Sequence, residues 1–285
     1  MVNKSAFYRA DQHINMKKLS VTEVGQRPGW FSRRYLDILG SIYIYNEHRG
    51  YTALDGLLEG VRQSPRHRDL AAAIEKHAAD ERKHYLMFQH WYETRRQMPL
   101  LVDRACGHID RFVEIMFRTG IDDMDVNAVL ADDRLFERLC RVISLTERRG
   151  YRQVEILLSH PIVTQDAGLM KIFRVIKRDE PSHWEPYERW LGENGKRAPN
   201  CWERLIDGFI HSELLFLKLP ILFFHPGLRR RETWPDAHDS IARGGHRATE
   251  IPTAQISTAA ETALMTKAAA ADMSFAVPTE GSAAG

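Results

Sequence analysis

Glu47-His48-Arg49-Gly50-Tyr51 and, one hundred positions later, Glu147-Arg148-Arg149-Gly150-Tyr151 both read E-x-R-G-Y. Each is followed by a second matching stretch. Asp80-Glu81-Arg82-Lys83-His84 and Asp179-Glu180-Pro181-Ser182-His183 both read D-E-x-x-H. The separations agree, with Glu47 to Glu81 spanning 34 positions and Glu147 to Glu180 spanning 33. Self-similarity of this kind marks a structural unit used twice.

Around these stretches apolar residues recur at three- and four-residue spacings, which predicts helices. Leu36, Leu39, Ile42, Tyr43 and Asn46 lie on one stripe of a first long helix, broken at Gln63-Ser64-Pro65. A helix rises about 1.5 Å per residue, so roughly sixteen residues carry the chain some 24 Å from Glu47 to that break. A second helix, over about 66–96, brings it back to Glu81. The same excursion recurs from Asp132 to a turn at His160-Pro161, then back over about 164–191. Each lone glutamate is thereby returned to the level of its own E-x-x-H.

In E-x-x-H the carboxylate and the imidazole stand one turn apart on one helix face, close enough to grip one ion together. Two such motifs and two single glutamates supply four carboxylates and two imidazoles. Oxygen and nitrogen donors of this kind suit iron, and the set nearly neutralises two divalent ions. The reading is thus a di-iron centre held by Glu47, Glu81, His84, Glu147, Glu180 and His183. A lone E-x-x-H is expected about once by chance at ordinary residue frequencies. The alternative, solvated charges with coincidental histidines, leaves unexplained why both motifs follow an E-x-R-G-Y at nearly equal distance.

Beyond the two hairpins, a helix is expected over about 100–118, a loop around Gly120 to Asp125, and a last helix from Asn200 to about Phe224 with Pro220 as a kink or early end. Leu214 to Phe224 is the most apolar run. It reads as a core helix capping the bundle, with a membrane-dipping surface or the entry of a greasy substrate as the alternative. No run is long enough for a transmembrane helix. Residues 1–29 form an N-terminal extension without an apolar signal core, so a cytoplasmic location is expected, with a peripheral contact on the inner membrane face as an option. Residues 233–285, rich in Ala, Thr, Ser and Gly, read as a disordered tail.

The net charge of +2 and the lack of a long basic stripe argue against a nucleic-acid partner. The three cysteines, Cys106, Cys140 and Cys201, are widely separated. They form neither a disulfide framework nor a four-cysteine iron site, and are expected to be buried, reduced thiols.

At its repeated motifs the sequence resembles the ferritin-like di-iron carboxylate superfamily, over about residues 30–195. The resemblance implies an all-α fold, a ferritin-like four-helix bundle with additional helices, occupying 30–232. It also implies that Glu47 and Glu147 are ligands, that Glu81 and Glu180 bridge or swing, and that His84 and His183 give one imidazole per iron. Asp80 and Asp179 correspond to the family's carboxylates that each hydrogen-bond the histidine of the opposite motif. Two positions depart from the family pattern. The residues before the histidines are Lys83 and Ser182 where arginine is common, and Pro181 sits inside the second motif. Tyr51 and Tyr151, one turn after a glutamate, are candidates to donate to the site, with packing preferred. His77, one turn before Glu81, is a candidate seventh ligand or proton donor, with a satisfied or solvent-facing histidine preferred. His48 and His90 fall on other faces.

Among the chemistries of this superfamily, an oxygenase, hydroxylase or desaturase type acting on an organic, hydrophobic substrate is favoured. The extra helices and the apolar 214–224 segment support it. The second half is similar to the aerobic cyclases of magnesium-porphyrin biosynthesis, a kinship that assigns no substrate. The alternatives are a ferroxidase or rubrerythrin-like peroxidase, and a metal-free helical interaction protein. The oxidoreductase reading implies two iron ions (manganese or a mixed pair suiting the same donors), O₂ as co-substrate and an external electron donor. A homodimer is an option by analogy.

Overall fold

A computed structural model describes residues 29–102 and 106–236. Among these residues there is no strand, only one isolated antiparallel bridge between Leu100 and Arg230. Helix α1 (Trp30–Gln63) ends where the sequence predicts. Ser64 precedes a proline, whose ring disfavours the helical conformation of the residue before it, and Ser64 is extended at φ −83°, ψ 118°. After a 3₁₀ turn at Arg68–Leu70, α2 (Ala71–Thr94) runs back along α1.

The helix expected over 100–118 is shorter. Leu101 N donates to Arg229 O at 2.8 Å and Arg231 N to Pro99 O at 2.8 Å, so the backbone there pairs with the returning chain instead of coiling. Helix α3 therefore covers only His108–Phe117, and a short α4 (Val126–Ala131) follows the expected loop. Asp132 then caps α5 (Asp133–Leu157), its carboxylate accepting from the amides of Arg134 and Leu135.

The return limb is α6 (Ala167–Asp179) followed by α7 (Pro181–Glu193), both packed on α5. Asp166 caps α6 at Leu169 N and also accepts from Trp91 Nε1 of α2. Pro181 has no N–H to offer, yet Glu180 keeps helical angles (φ −47°, ψ −43°) and His183 N bonds Glu180 O at 2.8 Å. The proline thus opens a new first turn, the helical position it tolerates. Helices α6 and α7 also pack against α2, which places the two hairpins side by side.

The last expected helix is divided. α8 (Cys201–Glu213) starts with a reciprocal Asn200–Glu203 capping box. A π-helical turn over Leu214–Lys218 leads into α9 (Leu219–Phe224). Pro220 cannot make the α-helical bond to residue 216, and the wider turn before it absorbs the misfit. Leu214, Leu222 and Phe223 pack with Ile38 and Ile42 of α1. Phe216, however, is 80% exposed and Phe224 is 75% exposed. The expected core helix is therefore core on one side only, because it lies on the outside of α1. Among the described residues no helix is long and apolar enough to cross a membrane.

Two apolar clusters fill the hairpins. One gathers Leu54, Leu57, Val61, Ile74, Phe136 and Trp190. The other gathers Leu36, Leu39, Phe88, Tyr92, Leu157 and Phe173, with Trp234 against it. The repeated glutamates and histidines fall between these sets along every limb. Cys106 and Cys140 are buried free thiols as expected; Cys201 is free but exposed, since it opens α8 on the solvent side. The N-terminal extension up to residue 28 and the expected tail from 237 onward lie outside the described residues.

Candidate metal centre

Both halves of the repeat bring their motif residues to one place. Glu47, Glu81, His84, Glu180 and His183 are all buried, and Glu147 is nearly so. The first helix of each hairpin supplies a lone glutamate; the returning limb supplies Glu-x-x-His. Close approach of the two limbs explains the glycine of E-x-R-G-Y. A Cβ on Gly50 would collide with the Glu81 carboxylate, and one on Gly150 would sit 3.4 Å from Glu180 Oε1. At Gly50 the missing side chain is what lets the glutamate lean over the neighbouring backbone, whereas at Gly150 a methyl would make an ordinary contact.

The two halves are tied by crossed hydrogen bonds. His84 Nε2 lies 3.2 Å from Asp179 Oδ2, and His183 Nε2 lies 3.4 Å from Asp80 Oδ2. Each aspartate thus accepts from the histidine of the opposite motif, the pairing that the family resemblance implies. Lys83 joins them, its Nζ 2.5 Å from Asp80 Oδ1 and 2.7 Å from Asp179 Oδ2. Burial raises the pKa of both aspartates, but hydrogen bonds from His183, Lys76 and Lys83 on Asp80, and from His84, Lys83 and Arg178 on Asp179, outweigh it. Both are held well below the usual carboxylate range. They are firmly ionised acceptors, and they fix the histidine protons on Nε2.

Each Nδ1 then presents its lone pair to carboxylates. His84 Nδ1 is 3.3 Å from Glu47 Oε2, and His183 Nδ1 is 3.3 Å from Glu81 Oε1. Acceptors thus face acceptors. His183 Nδ1, Glu180 Oε2 and His77 Nε2 are buried with no hydrogen-bond partner. Burial, then neighbouring negative charge, keeps the four carboxyls partly protonated in the metal-free protein. Glu47 is pushed up to about 8 and Glu81 and Glu147 to about 7, while Glu180 is raised well above the ordinary value. Two ionised carboxylates about 4 Å apart repel by about 4 kcal/mol at an effective dielectric constant of ~20. Something positive between them relieves that repulsion.

The donors form two sets that could hold a metal ion: His77, Glu81, Glu147 and His183, and Glu47, Glu81 and His84. Glu81 belongs to both, in keeping with a bridging role. Glu180 is in neither set, though its Oε2 lies 3.8 Å from His183 Nδ1.

His77 corrects the sequence expectation. It is 2% exposed, neither solvent-facing nor satisfied. Its Nδ1 hydrogen-bonds the Tyr187 hydroxyl at 3.3 Å, while Nε2 is 3.6 Å from Glu81 Oε1 and 3.8 Å from Glu147 Oε1. Its ring stacks on His183, with centroids 4.1 Å apart.

Tyr51 and Tyr151 do pack, as preferred. Arg82 lies over the Tyr51 ring and Lys177 over that of Tyr151, and Tyr85 and Trp184 meet them edge-on. The arginines of the repeat, given no role from sequence, anchor flanking helices. Arg49 binds Asp110 of α3 through Nε and Nη2 (3.1 and 3.0 Å), and Arg149 binds Asp207 of α8 at 3.2 Å. Their recurrence in both halves was the available signal.

A small chamber of about 140 Å³ opens on Glu47, Glu81, Glu147 and Glu180, with walls that include Leu54, Leu57, Val113 and Ile143. Tyr43, read from sequence only as part of an apolar stripe, also lines it. Its hydroxyl is buried and unpartnered, and burial followed by the charges of Glu47 and Glu180 raises its pKa far above the usual phenol value. Its place one turn before Glu47 was the signal. Compared with protein-family models, curated proteins and solved structures, the chain matches none.

Proposed function

We propose that this chain is a di-iron, O₂-activating oxidoreductase of oxygenase type, built on a ferritin-like four-helix bundle and acting on an organic substrate. The observation that carries the reading is the crossed Asp–His pairing. Asp80 and Asp179 commit both Nε2 protons outward, so two Nδ1 lone pairs and four glutamates converge in a buried space as a set of oxygen and nitrogen donors that could hold metal ions.

Glu47, Glu81, Glu147, Glu180, His84 and His183 would hold the two irons, with His77 as a seventh donor. When bound, the irons would supply the capacity to bind and reduce O₂ with electrons from an external donor. The chain's own residues do the rest. Lys83 holds the two aspartates in place, and the aspartates fix the imidazoles in orientation through their Nε2 atoms. The apolar walls keep bulk water from the carboxylates, and the Tyr43 hydroxyl offers a proton at the chamber edge. Manganese fits the same donors.

An organic substrate is favoured over Fe²⁺ as substrate because the space beside the glutamates is walled by Leu54, Leu57 and Ile143 rather than by further carboxylates. Protein purified from iron-supplemented growth should contain about two irons per chain. Glu81→Ala and His183→Ala should lose them while staying folded by circular dichroism. A folded wild type that takes up neither iron nor manganese would overturn the reading. Rapid catalytic Fe²⁺ oxidation with a mineral product would replace it with a ferroxidase.

A further inference from the structure

Outside the carboxylate chamber lies a larger cleft of about 980 Å³, at the upper end of the ~300–1,000 Å³ typical of small-molecule sites. The two spaces share Arg149 and Gln153 in their walls. The inner chamber, at about 140 Å³, has room for a fragment about the size of a benzene ring, so a larger substrate that reacts there must keep most of its bulk elsewhere. The cleft is the adjoining space.

Its lining combines cationic and aliphatic side chains. Five cationic side chains face it, Arg148, Arg149, Arg152, Lys196 and Arg204, against two carboxylates, Glu188 and Asp207. Both carboxylates are already engaged. Glu188 is forked by Arg148 at 2.5 Å, and Asp207 lies 2.9 Å from His108 Nε2 and accepts from Arg149 Nε at 3.2 Å. The remaining cations are under-used. Among the described residues Arg152 has no ion pair, Arg204 bonds only the carbonyl of Pro199, and Lys196 stands 3.9 Å from Glu137. His211 adds a buried, unpartnered Nδ1 to the same wall. The lining also includes the aliphatic side chains of Leu39, Leu157, Leu191, Leu215 and Leu219. A concave surface with surplus positive charge concentrates anions, and guanidinium groups pair well with carboxylates.

We propose that this cleft binds an amphipathic organic acid, with its carboxylate drawn to the cationic wall that Arg152 and Arg204 leave unneutralised and its apolar chain running past Gln153 toward the carboxylate chamber. Binding of the acid stands on the cleft alone; its oxidation rests on the function proposed above. The shared wall orders the molecule so that the end far from the carboxylate enters the chamber.

The test measures binding to the metal-free full-length chain by calorimetry, using dodecanoate, dodecan-1-ol and dodecyltrimethylammonium. Dodecanoate should bind at least tenfold more tightly than the alcohol, and the ammonium should bind most weakly. The exposed pair Arg152→Ala/Arg204→Ala should weaken dodecanoate at least tenfold, and Arg152→Lys/Arg204→Lys should recover most of that loss. Gln153→Trp should weaken dodecanoate more than hexanoate. Equal binding of acid and alcohol, or a double alanine variant that binds dodecanoate as wild type does, would overturn the proposal. Iron content is measured in parallel. Protein that binds dodecanoate but holds no metal refutes the oxidoreductase and leaves the cleft assignment standing; protein with two irons and no affinity for dodecanoate does the reverse.

Discussion

Asp80 and His183 stand 103 positions apart in the chain, yet Asp80 Oδ2 lies 3.4 Å from His183 Nε2, and Asp179 returns the same contact to His84 at 3.2 Å. Neither aspartate touches the space between the glutamates, so each acts by fixing where a histidine proton sits. Replacing it with asparagine keeps the shape and removes the charge that selects the Nε2–H tautomer. Outer partners of metal-bound histidines typically carry 10–100-fold in affinity. Asp80→Asn and Asp179→Asn should each weaken Mn²⁺ binding by about that factor, read by competition titration, with the helical circular dichroism of the metal-free protein retained.

The raised glutamates make a pH signature. A carboxyl whose pKa is higher in the folded than in the unfolded chain stabilises below its unfolded value and loses that contribution as pH rises through the folded one. Glu47 at about 8, Glu81 and Glu147 at about 7, and Glu180 above the ordinary range all have this sign. His108, pushed down to about 3 by burial and then by Arg149, has the opposite slope below its unfolded value of 6.5. His183, lowered by burial and then by His77, adds to it. Burial lowers His67 and His211 as well, so four imidazoles oppose the carboxyls below pH 6.5, and above it the carboxyls act alone. Metal-free protein should therefore melt at progressively lower temperature from pH 6.5 to pH 8. Saturating Mn²⁺ should flatten or invert the trend, because ligation favours the deprotonated carboxylates.

The paired glycines are not equivalent. At Gly50 an added methyl meets the Glu81 carboxylate, whereas at Gly150 it meets Glu180 only at 3.4 Å. Glu81 belongs to both donor sets, so displacing it disturbs both metal positions. Gly50→Ala should cut bound metal to well under one ion per chain, while Gly150→Ala should retain most of two. Plasma emission spectroscopy on the purified variants reads this directly, and equal losses from both would contradict the asymmetry.

Tyr43 gives a test in which stability and activity are expected to part. Its buried hydroxyl has no partner, and leaving such a group unsatisfied costs about 1–3 kcal/mol. Tyr43→Phe removes that cost at nearly constant volume. The metal-free variant should be at least as stable as wild type in urea unfolding, by up to about 1 kcal/mol. O₂ consumption by the iron-loaded variant should be slower if the hydroxyl donates a proton at the chamber edge.

What could be read from sequence divides along the symmetry of the repeat. The six motif residues were legible because each half repeats the same one-turn spacings, and the turns at Pro65 and Pro161 fix where each limb returns. Features present in one half only were less so. The position matching His77 in the second half is Ile176, and the position matching Tyr43 is Ile143. Duplication gives neither any weight, so His77 is only a candidate by its spacing from Glu81, and Tyr43 only part of an apolar stripe. The helix expected over 100–118 failed for a different reason: the pairing that replaces its first turns comes from Arg229 and Arg231, about 130 residues away. Local periodicity carries no information about so distant a partner.

That asymmetry makes His77 the sharpest test of the centre. One donor set contains His77 with Glu81, Glu147 and His183; the other has Glu47, Glu81 and His84. Two ions held there would differ in nitrogen donors, the first with two imidazoles and the second with one. Removing His77 should therefore affect one ion much more than the other. His77→Ala also frees the Tyr187 hydroxyl from its 3.3 Å contact and opens space against the stacked His183 ring, so His77→Gln is the better probe. It keeps a polar side chain toward Tyr187 while removing the imidazole. Mn²⁺ titration of wild type should show two ions per chain. The glutamine variant should keep one affinity near the wild-type value and weaken the other about tenfold or more. If both affinities were unchanged, His77 would be a buried neighbour of the centre and not one of its donors.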